Sequence, residues 1–416
     1  MSWTTAAVLL AVTGTVVLPA GSATASATPP TTRVSVSGAE AQADGASFGA
    51  GLSADGRYAV FSSDASNLVR ADTNGSRDVF VRDRRAGTTT RVSLSGRGDQ
   101  GDEESFGTSI TPDGRYVAFT SRASNLVGGD TAGQTDAFLK DLRTGTTTRI
   151  SVSGEGAQGN SESTSPQVSA DGRYVVFQSW ATNLVEGDTT ADAADVFVRD
   201  LRTGTTERVS LSSTGAEANE YSAGVAISGD GRYVAFVSYA TNLVPGDTND
   251  AADVFLRDRR TGTTTRINVG PGGAQADGAS ISVALTPDAR YAAFDSSATN
   301  LVSPGSPAAT GVYVRDLRTG VTSRLADGRH PALSTDGRYV AYEAGPGSRP
   351  EVFVTDRRTG AVTAASTAAD GGPPDNFSSQ PALSGNGKLV AFRSAATNLV
   401  AGDTNELDDT YVRAIR

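Results

Sequence analysis

The heptapeptide DTNGSRD places oxygen donors at alternate positions: Asp72, Asn74, Ser76 and Asp78 stand first, third, fifth and seventh. Carboxylate, amide and hydroxyl oxygens so spaced are hard ligands of the kind that wrap a calcium ion. The pattern returns as Asp247, Asn249 and Asp253 and again as Asp403, Asn405 and Asp409. Asp188, Asp192 and Asp195 carry it with one extra residue, while Asp130 and Asp136 keep only its ends. It is not an EF-hand, because no copy has glycine at the sixth position. The acid at the twelfth position, Asp83, lies beyond an extended run that rises roughly 3.3 Å per residue and so reaches the far side. A local reading competes with calcium: Asp72 and Asn74 shape an Asx-type turn, Asn67, Leu68 and Val69 pack and turn, and Asp78 opens a strand. If an ion is held, Asp44 or Asp102 from a neighbouring loop is placed to complete its shell.

Other short patterns match chemical motifs without their context. Gly45 to Gly49 reads G-x-S-x-G but leads into a strand, not the strand–turn–helix elbow that exposes a nucleophile. Gly96 to Gly101 and Gly154 to Gly159 read G-x-G-x-x-G with no helix behind them to receive a phosphate. Arg97-Gly98-Asp99 is an adhesion tripeptide by composition only. His330, the one imidazole, lies in the shortest interblade connection and reads as structural or solvated; no serine can be assigned to it as a triad partner. A His-rich metal site is excluded, and the absence of cysteine excludes disulfides, thiolate catalysis and Cys-ligated zinc. Paired carboxylates of the glycosidase or lyase kind stay open, but no pair stands out among so many acids. No catalytic and no cofactor-binding residue is assigned.

The chain has 416 residues and a formal net charge of -10, which repels nucleic acid and anionic lipid. Residues 1–27 stand apart: the apolar run Ala6 to Ala20 precedes GSATASA, with small residues suited to cleavage after Ala27. That reads as a secretory signal, although residues 2–5 carry no Lys or Arg. No later stretch is apolar enough to span a bilayer.

What positions the oxygen donors is a repeat. Aligned on Asp-Gly-Arg-Tyr, the chain places Tyr58, Tyr116, Tyr174, Tyr233, Tyr291, Tyr339 and then Leu389 at intervals of 58, 58, 59, 58, 48 and 50 residues. The second unit shows four strand-like pieces, Ser105 to Ile110, Arg115 to Ser121, Asp136 to Asp141 and Thr147 to Ser153, rich in Val, Phe, Tyr and Thr. Asp-Gly turns separate the first two, and Gly87, Gly145, Gly204, Gly262, Gly320 and Gly360 stand where the next hairpin needs a left-handed residue. Apolar residues fall on both faces of the second strand, as stacked sheets require. The pattern predicts an all-β, seven-bladed β-propeller of four-stranded antiparallel blades over residues 28–416. Its seventh unit ends after three strands; the missing fourth, TTRVSVSG at Thr31 to Gly38, precedes the first unit, so the N-terminal strand is expected to close the ring.

TPDGRYVAFTS and SADGRYVVFQS resemble the WD40-like repeats of the TolB-type β-propeller family, and the resemblance covers residues 31–416. It implies the fold and says little about function. TolB carries an N-terminal α/β domain before a six-bladed propeller and serves the Tol–Pal system. This chain is expected to lack that domain and counts seven units, so that role does not carry over.

Strand order places the short turns, with Arg57, Arg84, Arg115, Arg143 and Arg202, at one face. The long loops emerge at the other, with Asp44, Asp102, Glu103, Glu104, Glu162, Glu217, Glu220 and Asp277. Loops on a rigid scaffold are where binding residues gather. The expectation is a secreted, monomeric, non-catalytic binding module in the extracellular or cell-envelope space. It would take a protein or glycan on its acidic long-loop face, with Ca²⁺ as a candidate stabiliser. The alternative is a carboxylate-based hydrolase or lyase acting on a polysaccharide at the central channel.

Overall fold

Each blade starts from one turn chemistry. In the first, Asp55 Oδ1 accepts the Ser53 hydroxyl at 2.7 Å and the Arg57 amide at 3.0 Å, and Gly56 takes φ 68°. These bonds fold the chain back so that Tyr58 begins the second strand. Glycine suits this turn for a second reason, and blade five alone replaces it, with Ala289 at φ 52°. A Cβ on Gly114 would lie 2.2 Å from Tyr58 Cδ2, and one on Gly231 would lie 2.1 Å from Tyr174 Cδ2. The tyrosine of one blade therefore packs flat on the turn of the next, which sets the blade-to-blade register.

The structure is a computed structural model and describes residues 31–130, 133–189, 193–303, 307 and 309–415; the expected secretory signal at 1–27 and Asp192 lie outside the described residues. Seven antiparallel sheets of four strands make the ring. Blades one to four run Ser47–Arg91, Ser105–Arg149, Ser163–Arg208 and Ser222–Arg266, and blades five and six Ser280–Asp327 and Arg329–Ala364. Blade seven runs Ser378–Ala414 and takes its fourth strand from Thr31–Arg33, which pairs antiparallel with Tyr411–Arg413. A single 3-10 turn, Pro271–Gly273, is the one helical element among the described residues.

Fourth strands are shorter than the repeat suggests: in blade two only Thr147–Arg149 is ladder. Beyond it Ser151 turns inward to Asp136, and Val152 makes an isolated bridge to Gln158. Side-chain bonding there competes with the ladder for the backbone.

Between blades the core is apolar. Phe61 and Phe80 stack at 5.9 Å across the second and third strands, and the pairing recurs in every blade, ending in Phe392 with Tyr411 at 6.0 Å. All of these rings but Phe353 are buried, and each buried ring contributes about 2–3 kcal/mol. All seven innermost strands carry a register shift. In six of them a left-handed residue marks it: Gly49, Gly107, Ser165, Gly224, His330 and Gln380. Bulges of this kind re-aim side chains, and here they sit on the strands that line the central channel.

Candidate functional site

The acids of the repeated phrase face inward, onto an arginine at the end of their own blade's fourth strand. Arg91 lies 2.9 Å from Asp72 and 3.4 Å from Asp78. Arg149 bridges Asp130 and Asp136 at 3.1 and 3.7 Å, Arg266 bridges Asp247 and Asp253 at 3.2 and 2.8 Å, and Arg33 bridges Asp403 and Asp409 at 3.1 Å each. The acid side chains in these clusters are 4% exposed or less. Asn74 uses its oxygen to accept the Ser76 amide and its nitrogen to bond Asp78 and the Gly101 carbonyl. Asn249 and Asn405 do the same for Ala251 and Leu407, and tie to Ala276 and Ala43. Four blades, and blade three through Arg208, therefore carry a buried guanidinium where an ion would sit.

Blade three adds a third acid. One oxygen each of Asp188, Asp195 and Glu217 lies within 4.8 Å of the others, a grouping that could hold a metal ion. Arg208 already reaches all three, at 2.8, 3.4 and 2.7 Å. Burial pushes Asp195 up to about 6 against the pull of Ser210 and Arg208. The loop acids proposed as outer ligands are engaged as well: Asp44 holds the Ser66 amide and hydroxyl, and Asp102 those of Ser124.

A different group gathers at the channel. Near the long-loop end, the innermost strand and the second strand present one pair per blade: Phe48/Ser62, Phe106/Thr120, Thr164/Gln178, Ala223/Val237, Ser282/Asp295, Arg329/Glu343 and Ser379/Arg393. Blades one to four are neutral at this level. Blades five to seven are charged.

Glu343 anchors that charged sector. Only 3% exposed, it accepts His330 Nδ1 at 3.1 Å and Arg329 Nε at 3.2 Å on one oxygen, and the Gln380 amide at 2.8 Å on the other. Burial alone would raise its carboxyl. The His330 bond, the Gln380 amide and the charges of His330 and Arg329 outweigh burial and hold it below the ordinary range. The same bond raises His330 above 6.5, against its own burial. His330 and Arg329 are half exposed, so both remain open to solvent beside Glu343. Asp295 is fully buried, takes the Ser282 hydroxyl on one oxygen and finds no hydrogen-bond partner among the described residues for the other; burial raises it.

Beside this sector, Phe48 is flanked by guanidinia: Arg77 stands 4.0 Å and Arg393 4.7 Å from its ring centroid. Asp64 steadies Arg77 at 2.8 Å and Asp408 steadies Arg393 at 2.9 Å. With Phe106, Gly107, Gln380 and Pro381 they line a cavity of about 480 Å³. The mouth thus combines an aromatic face with cations inside a protein of net charge -10. Sequence reasoning set His330 aside as structural. The signal it passed over is the fifth position of the second strand, which changes from Ser62, Thr120, Gln178 and Val237 to Asp295, Glu343 and Arg393 within an otherwise steady repeat.

No family model matches the chain, and no curated protein does. Among solved structures, an oligogalacturonate lyase in complex with manganese is 14% identical, with 94% of each chain covered and a TM-score of 0.60. Oligogalacturonate lyase from Vibrio parahaemolyticus is 15% identical over 94% of this chain and 97% of that one, at 0.58. TolB from Acinetobacter baumannii is matched over a segment, at 18% identity and a TM-score of 0.43; the match covers 69% of this chain and spans 58% of that one. Likeness at these identities is one of fold.

Proposed function

We propose that this protein binds a carboxylate-bearing oligosaccharide at the long-loop mouth of its central channel, outside the cytoplasm. One observation carries the reading: Arg77 and Arg393 stand over the Phe48 ring in an open cavity, and Gln380 in the wall of that cavity bonds Glu343, the carboxylate that holds Arg329 and His330. A sugar ring offers a row of weakly positive C–H bonds to an aromatic face, and guanidinium is a fork that fits carboxylate. Solved propellers of matching extent that act on an acidic oligosaccharide add support. So does the apolar leader, and no described helix is long and apolar enough to cross a membrane. The earlier expectation of an acidic binding surface moves to a channel mouth lined by carboxylate-paired guanidinia within that surface, and the candidate ligand narrows from protein or glycan to acidic glycan.

In this reading the repeated loop acids are scaffold. Their arginines supply the charge that Ca²⁺ would supply, and an ion entering Asp188, Asp195 and Glu217 does so by displacing Arg208. The test is calorimetric titration with oligogalacturonate against a neutral oligosaccharide of equal length. Binding of the acidic chain alone, weakened about tenfold or more by Phe48→Ala, is the expected result. Equal or absent binding of both refutes the reading.

The His330–Glu343 pair favours one extension, in which the bound sugar acid is also cleaved. With Nδ1 held by Glu343, neutral His330 has Nε2 free to take the proton next to the substrate carboxylate. The electron pair left behind forms the C=C bond, the C–O bond one carbon further breaks, and the departing oxygen is protonated by water. An unsaturated product would be read by its ultraviolet absorbance, rising as pH passes upward through the titration of His330.

A further inference from the structure

We infer that the seam between blades three and four carries a second sugar-binding platform, built from Trp180, Tyr221 and Tyr239. Trp180 closes the second strand of blade three, Tyr221 immediately precedes the innermost strand of blade four, and Tyr239 closes that blade's second strand. All three stand at the long-loop end of the ring, as the Phe48 cavity does. Trp180 and Tyr221 meet at 6.1 Å between centroids, tilted by 44°. Gln178 donates its side-chain amide to the Tyr221 hydroxyl at 2.8 Å, and the backbone amides of Trp180 and Tyr239 bond the Glu162 and Tyr221 carbonyls at 3.0 Å. The Trp180 and Tyr221 rings are therefore held against each other before any ligand arrives, which lowers the ordering cost of stacking.

The blade fold does not ask for them. Residues equivalent to Trp180 and Tyr239 in the other blades are Asp64, Arg122, Ser297, Gly345 and Ala395; those that stand just before the innermost strand, as Tyr221 does, are Ala46, Glu104, Glu162, Ala279 and Gly328, with a second aromatic only at Phe377. Tyr239 is 48% exposed although it is one of the large apolar side chains. An aromatic group held by amides and open to water suits the C–H face of a pyranose ring. On the reading that an acidic oligosaccharide binds at the charged mouth, this platform takes a more distant unit of the same chain. The ligand would then span the mouth from blades seven and one to blades three and four.

Trp180 is its own probe, because Trp3 in the leader is the only other tryptophan. In the full chain carrying Trp3→Phe, indole emission is followed while short and longer oligogalacturonates are titrated, with calorimetry run in parallel. Emission is expected to shift with the longer chain only, at the calorimetric midpoint. Tyr239→Ala, at an exposed position that leaves the core intact, and Trp180→Ala should each abolish most of the roughly tenfold advantage of the longer chain while leaving the short one unchanged. If calorimetry shows binding but emission stays flat and the length advantage survives both variants, the platform is refuted and the charged mouth stands. If neither chain binds, the reading of the mouth fails and the platform fails with it.

Discussion

Replacing Arg208 by leucine separates an arginine-held cluster from a metal-held one. The substitution keeps an apolar stem in place and removes the cation that lies 2.8, 3.4 and 2.7 Å from Asp188, Asp195 and Glu217. Breaking a buried pair by deleting one partner costs about 3–5 kcal/mol, because the surviving charge is left uncompensated. For a folded region spanning 31–415, unfolding entropy near 0.8 kcal/mol per kelvin turns that into a fall in Tm of about 4–6 °C. The fall should depend on pH. Asp195 has a folded pKa raised to about 6, above its unfolded value, so it stabilises the fold while protonated and loses that contribution as pH rises through 6. Without Arg208 its ionisation is costlier still; the deficit should be largest at pH 7–8 and narrow toward pH 5. Thermal scans in EDTA and in millimolar Ca²⁺ complete the test. The wild type should be indifferent to the ion, whereas Arg208→Leu, with three acids and no cation, should recover up to about 2.7 kcal/mol if calcium is present at a hundredfold excess over its Kd. A variant that melts within a degree of wild type, or a wild type that Ca²⁺ but not Mg²⁺ stabilises, would overturn the assignment of the loop acids to arginine.

Two further outcomes follow from the charges. His330 is the only imidazole, so a single NMR resonance reports it; it should titrate above 6.5 in the wild type, and Glu343→Gln should bring it down. On the short-turn face, side-chain bonds from Arg57, Arg115 and Arg232, against slight burial, hold Asp83, Asp141 and Asp258 at about 2. Folded values below the unfolded ones mean stability that is fully present above about pH 4 and lost as pH falls toward 2; acid denaturation should begin there, and Asp83→Asn should remove its share without moving Tm's pH dependence between 5 and 8.

Much of this architecture is readable in the chain because a repeat is a self-alignment. Tyr58 and its successors, the glycines of both hairpins, and the stray strand at Thr31 each recur or go missing at a fixed place, and the ring follows. The partners of Asp72 and Asp78 were harder to see, since Arg91 lies on another strand. A trace exists nonetheless: Arg33, Arg91, Arg149, Arg208 and Arg266 end TTR or TER segments in the same five blades that keep the acids. His330 and Glu343 belong to a third category. Their pairing depends on a bulge that turns His330 to φ 52°, and no local pattern in RHPAL announces it.

The distribution of these features argues for how the ring divides its labour. Blades one to four and seven keep the buried arginine cluster, with two or more acids locking the loop to the fourth strand. Blades five and six lack its loop acids, and they place Asp295 and Glu343 at the channel. An unpaired carboxyl oxygen on buried Asp295 and a left-handed His330 both cost stability. A sheet held on both sides by regular blades can carry that cost, because the neighbours fix its position. The divergence of blades five and six is then the place where the repeat gives way to a charged sector, which Gln380 ties through Glu343 to the proposed binding cavity between blades seven and one.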